Sequence, residues 1–395
     1  MQNNKKNIGS KLLDIFITIA LLDPANIFLK LKTVSFLVTI VYLLSFRISI
    51  SNKYVKAILF LYIISLVSSL LGRIQGFEIN ESMFYQYLTT FSVLILLLWY
   101  KHFDIIPRLV FPSVLLSILT IGLYVVMLFY PEIEAIIYGF TQEHDTIFQL
   151  SHRPYLGIEF ISCFYTPLVI VCLPYAYSLY RLHWEKNNKV KNLFLSVLFM
   201  TALFCGGNRA CFVGLFFTLF VIVMHYHINK GKLKILAMML VPVIVVSSVV
   251  VVYMAATEKE DSNNVKKEHL NSYVILYEEN PLIIATGMGA GAKFYSKGFG
   301  TKTSLVEWQY LEIFRFYGLV GGLFVIGFCW MPMFKVFMKK KNYNEWLPFF
   351  VGYSCYMMMS TGNPYLMNST GMIAVLSGYT YLYHNKKNLV STNYL

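Results

Sequence analysis

Apolar runs close to the length of a membrane-spanning helix recur along this sequence and constrain its fold more than any other feature. A helix needs about 20 apolar residues to cross roughly 30 Å of hydrocarbon. Runs near that length alternate with short loops rich in Lys, Arg and Asn. A chain of 395 residues with 57% hydrophobic and 13% charged residues is too apolar for one soluble core of that size. We therefore predict an all-α polytopic membrane protein, with residues 1–395 forming a single integral membrane domain.

The apolar runs define about twelve predicted transmembrane helices. Their boundaries are 11–29, 33–47, 54–72, 83–100, 108–130, 156–181, 192–207, 210–228, 234–255, 306–334, 346–361 and 365–384. Asp23-Pro24 cuts the first run short, so a first segment that lies in the interface, with eleven spans in total, is the alternative. The first run also lacks a small-residue cleavage site, which predicts an uncleaved N-terminus in the cytoplasm.

The net charge of +13 has a distribution that indicates membrane topology. With both termini inside, Lys and Arg concentrate in inner loops such as 181–191 and 335–341, and Asp and Glu prevail in outer segments. The positive-inside rule predicts this asymmetry. We therefore predict the lipid bilayer as a partner of the protein, and no nucleic acid.

Two predicted outer segments, 131–155 and 256–305, are longer than a turn requires. Long loops in compact proteins are usually functional or disordered. The second contains an apolar stretch before Asn280-Pro281, and we expect it to be partly helical and to pack on the membrane surface. The cysteines all fall within apolar runs without a CxxC pair, which predicts packing roles. They are Cys163, Cys172, Cys205, Cys211, Cys329 and Cys355.

Sequence motifs for nucleotides and metals are absent. There is no GxxxxGK[ST] motif, and the glycines between 287 and 291 fail the GxGxxG spacing and fall on the outer side. The acidic run at 258–261 is surrounded by lysines and fits a solvated loop face better than a metal site. We therefore predict neither a cofactor nor a metal ion.

Three arginines at or below the predicted outer surface are the main candidates for chemistry. Arginine stays charged, binds phosphate through two hydrogen bonds and is expensive near hydrocarbon. Arg209 follows Asn208 in a glycine-containing outer turn, against the positive-inside trend. Arg153 precedes a span, where a snorkelling flank is the alternative. Arg315 lies three residues after Glu312 inside the tenth span, where an intrahelical ion pair is the alternative.

Candidate acids and bases lie close to these arginines in sequence. Glu307 opens the tenth span and lies within about 80° of Arg315 on the helical wheel. A carboxylate that faces a cation-lined cavity could accept a proton from a hydroxyl. An interfacial glutamate favoured by the helix macrodipole is the alternative. His152 and Glu159 lie on either side of Arg153 and are further candidates.

A set of short motifs on the outer side carries a resemblance to a known family. The motifs are Asn280-Pro281, Gly287-Met288-Gly289-Ala290-Gly291, Glu307-Trp308-Gln309-Tyr310-Leu311-Glu312, Gly318-Leu319-Val320-Gly321, Asn208-Arg209-Ala210 and Arg153-Pro154-Tyr155-Leu156-Gly157. In order and placement they resemble the signature of the O-antigen polymerase and ligase superfamily (Wzy and WaaL). The span count and the large outer loop agree with that superfamily over nearly the whole chain. Each motif alone is weak evidence for the resemblance, and their common order and outer placement make the combination more specific.

The resemblance implies a GT-C-like membrane glycosyltransferase of the bacterial inner membrane, with its active site facing the periplasm. Its reaction would polymerise undecaprenyl-pyrophosphate-linked repeat units into O-antigen or a related surface polysaccharide, without metal or cofactor. Arg153 and Arg209 would hold the leaving pyrophosphate. Glu307 would be the base for the acceptor hydroxyl, with Glu159 or His152 as the second choice.

Further substrate contacts follow from the same outer placement. The predicted substrate-binding residues are Arg315, His152, Glu159, Asn208, Tyr155, Glu312 and Asn363. Outer aromatic side chains could stack on sugar faces, and an ordinary interfacial aromatic belt is the alternative. The resemblance also implies a separate chain-length regulator as a partner.

Two other functions compete with the polymerase. Ligases of the superfamily carry a His-Asn-like pair before the GxxG element, where this chain has Glu307-Trp308, and this departure favours the polymerase. A transporter or flippase of lipid-linked oligosaccharide would place charges near the bilayer midplane and would carry inverted repeats. The intramembrane charges here cluster toward one side, and no repeat is visible.

Overall fold

The computed structural model describes residues 2–45, 52–143, 148–155, 158–185, 187–231, 260–338 and 343–392. The predicted ninth span, 234–255, lies outside these residues. The α-helices are α1 Gln2–Leu22, α2 Leu31–Leu44, α3 Asn52–Ile74, α4 Glu81–Thr90, α5 Ile106–Phe129, α6 Pro131–Glu143, α7 Cys172–Trp184, α8 Lys189–Cys205, α9 Arg209–Asn229, α10 Glu260–Glu279, α11 Leu282–Thr286, α12 Gln309–Phe337, α13 Tyr343–Met359 and α14 Ser369–Thr392. Strands β1 Phe148–Tyr155 and β2 Ile158–Tyr165 form one hairpin, and β3 Phe294–Ser296 and β4 Thr301–Thr303 form another.

Five helices of the described part of the chain are long and apolar enough to cross a membrane. They are Asn52–Ile74, Glu81–Trp99, Ile106–Phe129, Ala210–Asn229 and Gln309–Phe337. At about 1.5 Å per residue, helices of this kind cover roughly 30 Å or more. The second continues from α4 through a 3-10 segment, Phe91–Trp99. The chain thus has the mostly helical architecture of a multi-pass membrane protein, with only small sheets.

The first half of the predicted sixth span, 156–181, is not helical. Residues 158–165 form β2, which pairs antiparallel with β1, and the helix α7 begins only at Cys172. The β2 sequence is rich in Ile, Phe and Tyr, residues that favour strands. A short apolar run cannot be assigned to strand or helix by hydrophobicity alone, because both can be buried. Thr166-Pro167 then starts a 3-10 segment that leads into α7.

The predicted first span, 11–29, is shorter in the structure. Helix α1 ends at Leu22, directly before Asp23-Pro24. The Asp23 carboxylate accepts hydrogen bonds from the backbone N–H groups of Ile27 (2.8 Å) and Phe28 (3.0 Å). The side chain therefore stabilises a turn in place of a continued helix.

The other described spans coincide with helices whose ends lie within about four residues of the predicted ones, except that α14 continues to Thr392, beyond the predicted end at 384. The predicted outer segment 131–155 contains α6 and β1. The described part of the segment 256–305 contains α10, α11 and the β3–β4 hairpin. All six cysteines are buried and free, as packing residues should be.

Loops that were predicted to share one side of the membrane meet at one end of the helix bundle. Trp184 stacks on His225, with 5.9 Å between ring centroids, and His384 Nε2 lies 3.2 Å from the Tyr100 carbonyl oxygen. All four residues lie in or beside predicted inner loops. The connections at the opposite end form the candidate site.

Candidate functional site

The turn before α9 is held against the β1–β2 hairpin. Ser162 Oγ donates a hydrogen bond to the Gly206 carbonyl oxygen (3.0 Å). Gly207 has a φ of +61°, and a Cβ at this position would lie 2.7 Å from Ser162 Cα. Only glycine combines the left-handed backbone with so close an approach. The glycines in this turn therefore fix the place where α9 begins.

Asn208 links this turn to the loop before α14. Its Oδ1 accepts a hydrogen bond from the Ala210 N–H (2.9 Å), which caps α9. Its Nδ2 donates to the Tyr365 hydroxyl (2.9 Å), and the Asn208 side chain is buried. The predicted site residue Asn208 is thus a positioning residue that joins two connections at one end of the bundle.

Arg209 is the first residue of α9, directly after this capped turn. The N-terminus of a helix carries a partial positive charge, so a cation there is unfavourable unless an anion is also present. Helix N-termini bind phosphate groups for the same reason. The positive charge of Arg209 is therefore unfavourable beside the positive end of α9, and a bound anionic ligand would offset this repulsion.

The hairpin brings Arg153 close to the same turn along the backbone. Arg153 on β1 pairs in register with Phe160 on β2, and the Phe160 ring approaches the α-carbon of Gly207. The Phe160 ring also packs against Phe204 (centroids 5.3 Å apart). The structure thus places the backbone of Arg153 beside the turn that precedes Arg209.

The other predicted residues of the hairpin occupy different places. His152 pairs with Ile161 in register, and its Nε2 forms a hydrogen bond with the Glu134 carboxylate of α6, with about half of the His152 side chain exposed. Glu159 and Tyr155 lie near the hairpin tip, opposite Pro154 and Ile158 respectively. Glu159 lies three positions before Ser162, which corresponds to about 10 Å along a strand.

The start of α12 contacts the loop that carries Asn363. Gln309 Oε1 accepts a hydrogen bond from the Met367 N–H (3.3 Å). The Tyr310 hydroxyl donates to the Met357 carbonyl oxygen (2.9 Å) at the end of α13. Asn363 is part of the same loop, where its carbonyl oxygen accepts from the Tyr365 N–H (2.8 Å). The loop before α14 therefore connects the start of α12 to the turn before α9.

Glu307 lies two residues before α12 and forms an ion pair. Its Oε2 is 3.0 Å from Lys266 Nζ of α10, and 44% of the Glu307 side chain is exposed. The side chain is therefore partly exposed, while Oε2, the oxygen beside the Lys266 cation, is buried. Lys266 is a neighbour that the sequence did not single out, because it lies in a basic stretch typical of a solvated loop.

Arg315 and Glu312 form a fully buried ion pair within α12. This is the intrahelical pair that their spacing of three residues offered as the alternative. Glu312 accepts two hydrogen bonds from the Arg315 guanidinium (2.8 and 2.7 Å), and neither side chain has exposed surface. The guanidinium also donates to the carbonyl oxygens of Ala292 (2.6 Å) and Ser304 (3.0 Å). In this arrangement the pair anchors the outer loop to α12.

Tyr273 completes this buried pair from α10. Its hydroxyl donates to Glu312, and burial together with the neighbouring carboxylate raises the pKa of Tyr273. The hydroxyl thus stays protonated and remains a donor at neutral pH. Nearby, the Met288 and Gly289 N–H groups donate to the carbonyl oxygens of Arg315 (2.7 Å) and Phe316 (3.0 Å). The glycine-rich segment after α11 therefore packs on the helix and is not a nucleotide loop.

Comparisons with known proteins add no relative: no family model, no curated protein and no solved structure matches this chain. Among the residues that the structure describes, no group of three or more His, Cys, Asp or Glu side chains could hold a metal ion.

Proposed function

We propose that this protein is a membrane glycosyltransferase that polymerises lipid-linked glycan repeat units at the outer end of its helix bundle. The observation that carries the proposal is the meeting of Arg209, the backbone of Arg153 and the loop of Asn363 at one end of the bundle. The sequence motifs around these residues resemble the O-antigen polymerase superfamily. The membrane, the periplasmic side and the undecaprenyl carrier are parts of this proposal.

The proposed reaction transfers a glycan from a lipid diphosphate to a sugar hydroxyl. The hydroxyl oxygen of the acceptor forms a bond to the anomeric carbon of the donor sugar, and the bond from that carbon to the diphosphate oxygen breaks. The lipid diphosphate leaves with the bonding electron pair, and the proton of the hydroxyl passes to a base. Atoms and charge balance without a metal ion or a nucleotide sugar.

Arg209 and Arg153 would stabilise the negative charge that grows on the leaving diphosphate. Fixed cations outside bulk water stabilise a developing charge without reorganising. Arg209 at the positive end of α9 is the stronger candidate, because the helix N-terminus adds its own N–H groups. Glu307 is the proposed base, since its side chain is partly exposed and directly precedes the residues of α12 that contact the loop.

The test is an in vitro polymerisation assay with matched variants. Arg209→Ala should lower the rate by about 100-fold or more, as the loss of one charge-stabilising group does elsewhere. Arg73→Ala is the control, because Arg73 is an exposed arginine that pairs with Glu81 away from the turn. An Arg209→Ala protein that is folded and as active as the parent would remove this residue from the site.

The base is tested in the same assay. Glu307→Gln should lower the maximal rate by about 100-fold or more while the concentration of half-saturation changes little, because general bases contribute that much to rate. Glu278→Gln, at an exposed glutamate of the same outer segment, is the control. Equal rates for Glu307→Gln and the control would assign proton transfer to another group.

A further inference from the structure

Helix α6 begins directly at the predicted outer end of the membrane-spanning helix α5. The exposed apolar side chains of α5 include a stripe that runs to the end of the helix, formed by Phe111, Ile118, Val125 and Phe129. Their spacing of seven and four residues places them on one face. Tyr130 alone separates α5 from α6, and its side chain is exposed as well. The lipid-facing surface of α5 therefore extends, without a loop, to the start of α6.

Helix α6 has the apolar pattern of an amphipathic helix. Four apolar side chains lie at positions i, i+3, i+4 and i+7, and they are Ile133, Ile136, Ile137 and Phe140. Tyr138 points about 160° away from Ile136 around the helix, on the opposite side. A helix with such a face needs an apolar surface on which to bury it.

Protein covers one half of this apolar face. Ile137 packs against a buried cluster from the last turn of α5 and the β1–β2 hairpin, which contains Met127, Phe148, Leu150 and Cys163. The Glu134 carboxylate forms a hydrogen bond with His152 Nε2 of β1. Both contacts hold α6 beside the end of α5, and a helix that continued away from the membrane would lose them.

Within the part of the chain that the structure describes, the other half of the apolar face is uncovered. The side chains of Ile136 and Phe140, one turn apart, are 73% and 47% exposed. Beside the end of a membrane span, the bilayer is the apolar surface that can cover them, and it already covers the stripe on α5. Glu132, in the first turn, limits the depth of the helix, because a carboxylate is costly in hydrocarbon.

We propose that α6 is an interfacial helix, which lies among the lipid headgroups and inserts Ile136 and Phe140 at the boundary to the acyl chains. The inference goes beyond the proposed function and requires only that α5 spans the membrane. The partner is a phospholipid surface of any headgroup charge, since α6 contains no Lys or Arg that would select anionic lipids. Through Glu134 and His152, α6 also keeps the β1–β2 hairpin at the depth of the headgroups.

The experiment measures where single side chains of α6 lie relative to the bilayer. Nitroxide spin labels are attached to Ile136→Cys and to Phe140→Cys in the full-length protein, reconstituted in phosphatidylcholine vesicles. Tyr138→Cys, at an exposed residue on the opposite side of the same helix, is the matched control. Ile118→Cys on the exposed stripe of α5 is the standard for a position in lipid. Collisions with oxygen report hydrocarbon, and collisions with a water-soluble nickel chelate report water.

We expect the ratio of oxygen to nickel collisions to be several-fold higher at Ile136→Cys and Phe140→Cys than at Tyr138→Cys. It should be lower at both than at Ile118→Cys, because the helix lies at the boundary and not in the hydrocarbon. Replacing part of the phosphatidylcholine with phosphatidylglycerol should leave the ratios unchanged.

Three results would overturn the proposal. Nickel collisions at Ile136→Cys and Phe140→Cys as frequent as at Tyr138→Cys would place the face in water. Protection of both positions from both reagents would mean that another segment of protein covers the face. A ratio at Tyr138→Cys as high as at Ile136→Cys would mean that lipid surrounds the helix.

A second variant tests whether the apolar face holds α6 in the interface. With the label at Phe140→Cys, Ile136→Asp should lower the ratio to the value of Tyr138→Cys, because a carboxylate at the acyl boundary is costly. Ala135→Asp, at an exposed residue outside the apolar face, makes the same change of charge and should leave the ratio high. Equal ratios for the two variants would contradict the insertion of Ile136. None of these measurements needs a substrate, so a failed polymerisation assay leaves the inference standing.

Discussion

At the residue scale, the candidate site depends on a few side chains that fix the backbone. Three contacts place the start of α9. Gly207 approaches Ser162 closely, the Asn208 side chain caps the helix, and Ser162 donates a hydrogen bond to the Gly206 carbonyl oxygen. Arg209, one of the residues proposed to react, is the first residue of the helix that these side chains position.

The close approach at Gly207 predicts a large loss of stability on adding one methyl group. Gly207→Ala would strain a backbone with φ +61° and would force Cβ into Ser162. We expect a cost of about 1 kcal/mol from the backbone and about 1–3 kcal/mol from overpacking. Gly76→Ala is the matched control, since Gly76 has φ +86° and open space around its Cβ position. Equal melting temperatures for the two variants would refute the close approach.

The double role of Asn208 can be divided by two substitutions. Asn208→Ala removes the cap of α9 and the bond to Tyr365, which should cost about 2 kcal/mol in total. Tyr365→Phe removes the bond alone and should cost about half as much. Thermal unfolding in detergent measures both, and a Tyr365→Phe protein that is as unstable as Asn208→Ala would contradict the capping role.

At the element scale, the outer loop is fastened to α12 by a buried ion pair. Arg315 is bonded to Glu312 and to carbonyl oxygens of Ala292 and Ser304, so one side chain joins the helix to the segment around β3 and β4. Removing one member of a buried pair leaves an uncompensated charge and costs about 3–5 kcal/mol. We expect Glu312→Gln to expose the segment 282–306 to limited proteolysis.

The double variant Glu312→Leu with Arg315→Met is the control for that experiment. It removes both charges, so it should lose less stability than Glu312→Gln does. A single variant that resists protease as the parent does would show that the loop is held by other contacts.

The packing of α10 on the β3–β4 hairpin should depend on pH. His269 Nδ1 lies 2.7 Å from Ser296 Oγ, and burial lowers the pKa of His269 below its usual 6.5. The unfolded chain therefore binds a proton more readily than the folded one, and stability is lost as the pH falls below about 6.5. A melting temperature that drops between about pH 7.5 and pH 5, and drops less in His269→Asn, is the expected result. Parallel curves would contradict it.

At the scale of the whole molecule, hydrophobic pattern predicted the helical architecture well. Span boundaries such as those of α3, α5 and α9 followed from apolar length alone, because the bilayer sets that length. The strand at 158–165 was missed since an apolar run has the same composition in a strand and in a buried helix. The pairing of β2 with β1 depends on tertiary contacts, which a local sequence pattern does not indicate.

The candidate site was predictable only in part. Arg209 and Arg153 could be selected because cations on the outer side oppose the general charge pattern. Arg315 and Glu312 are buried by contacts with residues distant in sequence. Their spacing alone therefore could not distinguish an ion pair from two residues that contact substrate.

The orientation in the membrane is a separate prediction. A membrane-impermeant thiol reagent applied from outside should label Tyr295→Cys, which is exposed in the outer segment, and should not label Asn187→Cys in the loop before α8. The six native cysteines are buried and give a low background. Labelling of Asn187→Cys alone would invert the topology and place the site on the cytoplasmic side.

Whether the protein is a polymerase can be measured by supplying the purified protein with undecaprenyl-pyrophosphate-linked repeat units, with chelator and without nucleotide sugar. Products are read on a gel after a fixed time. Our account predicts a ladder of glycans that differ by whole repeat units. Intact substrate and folded protein without a ladder would contradict the polymerase and the proposed role of Glu307.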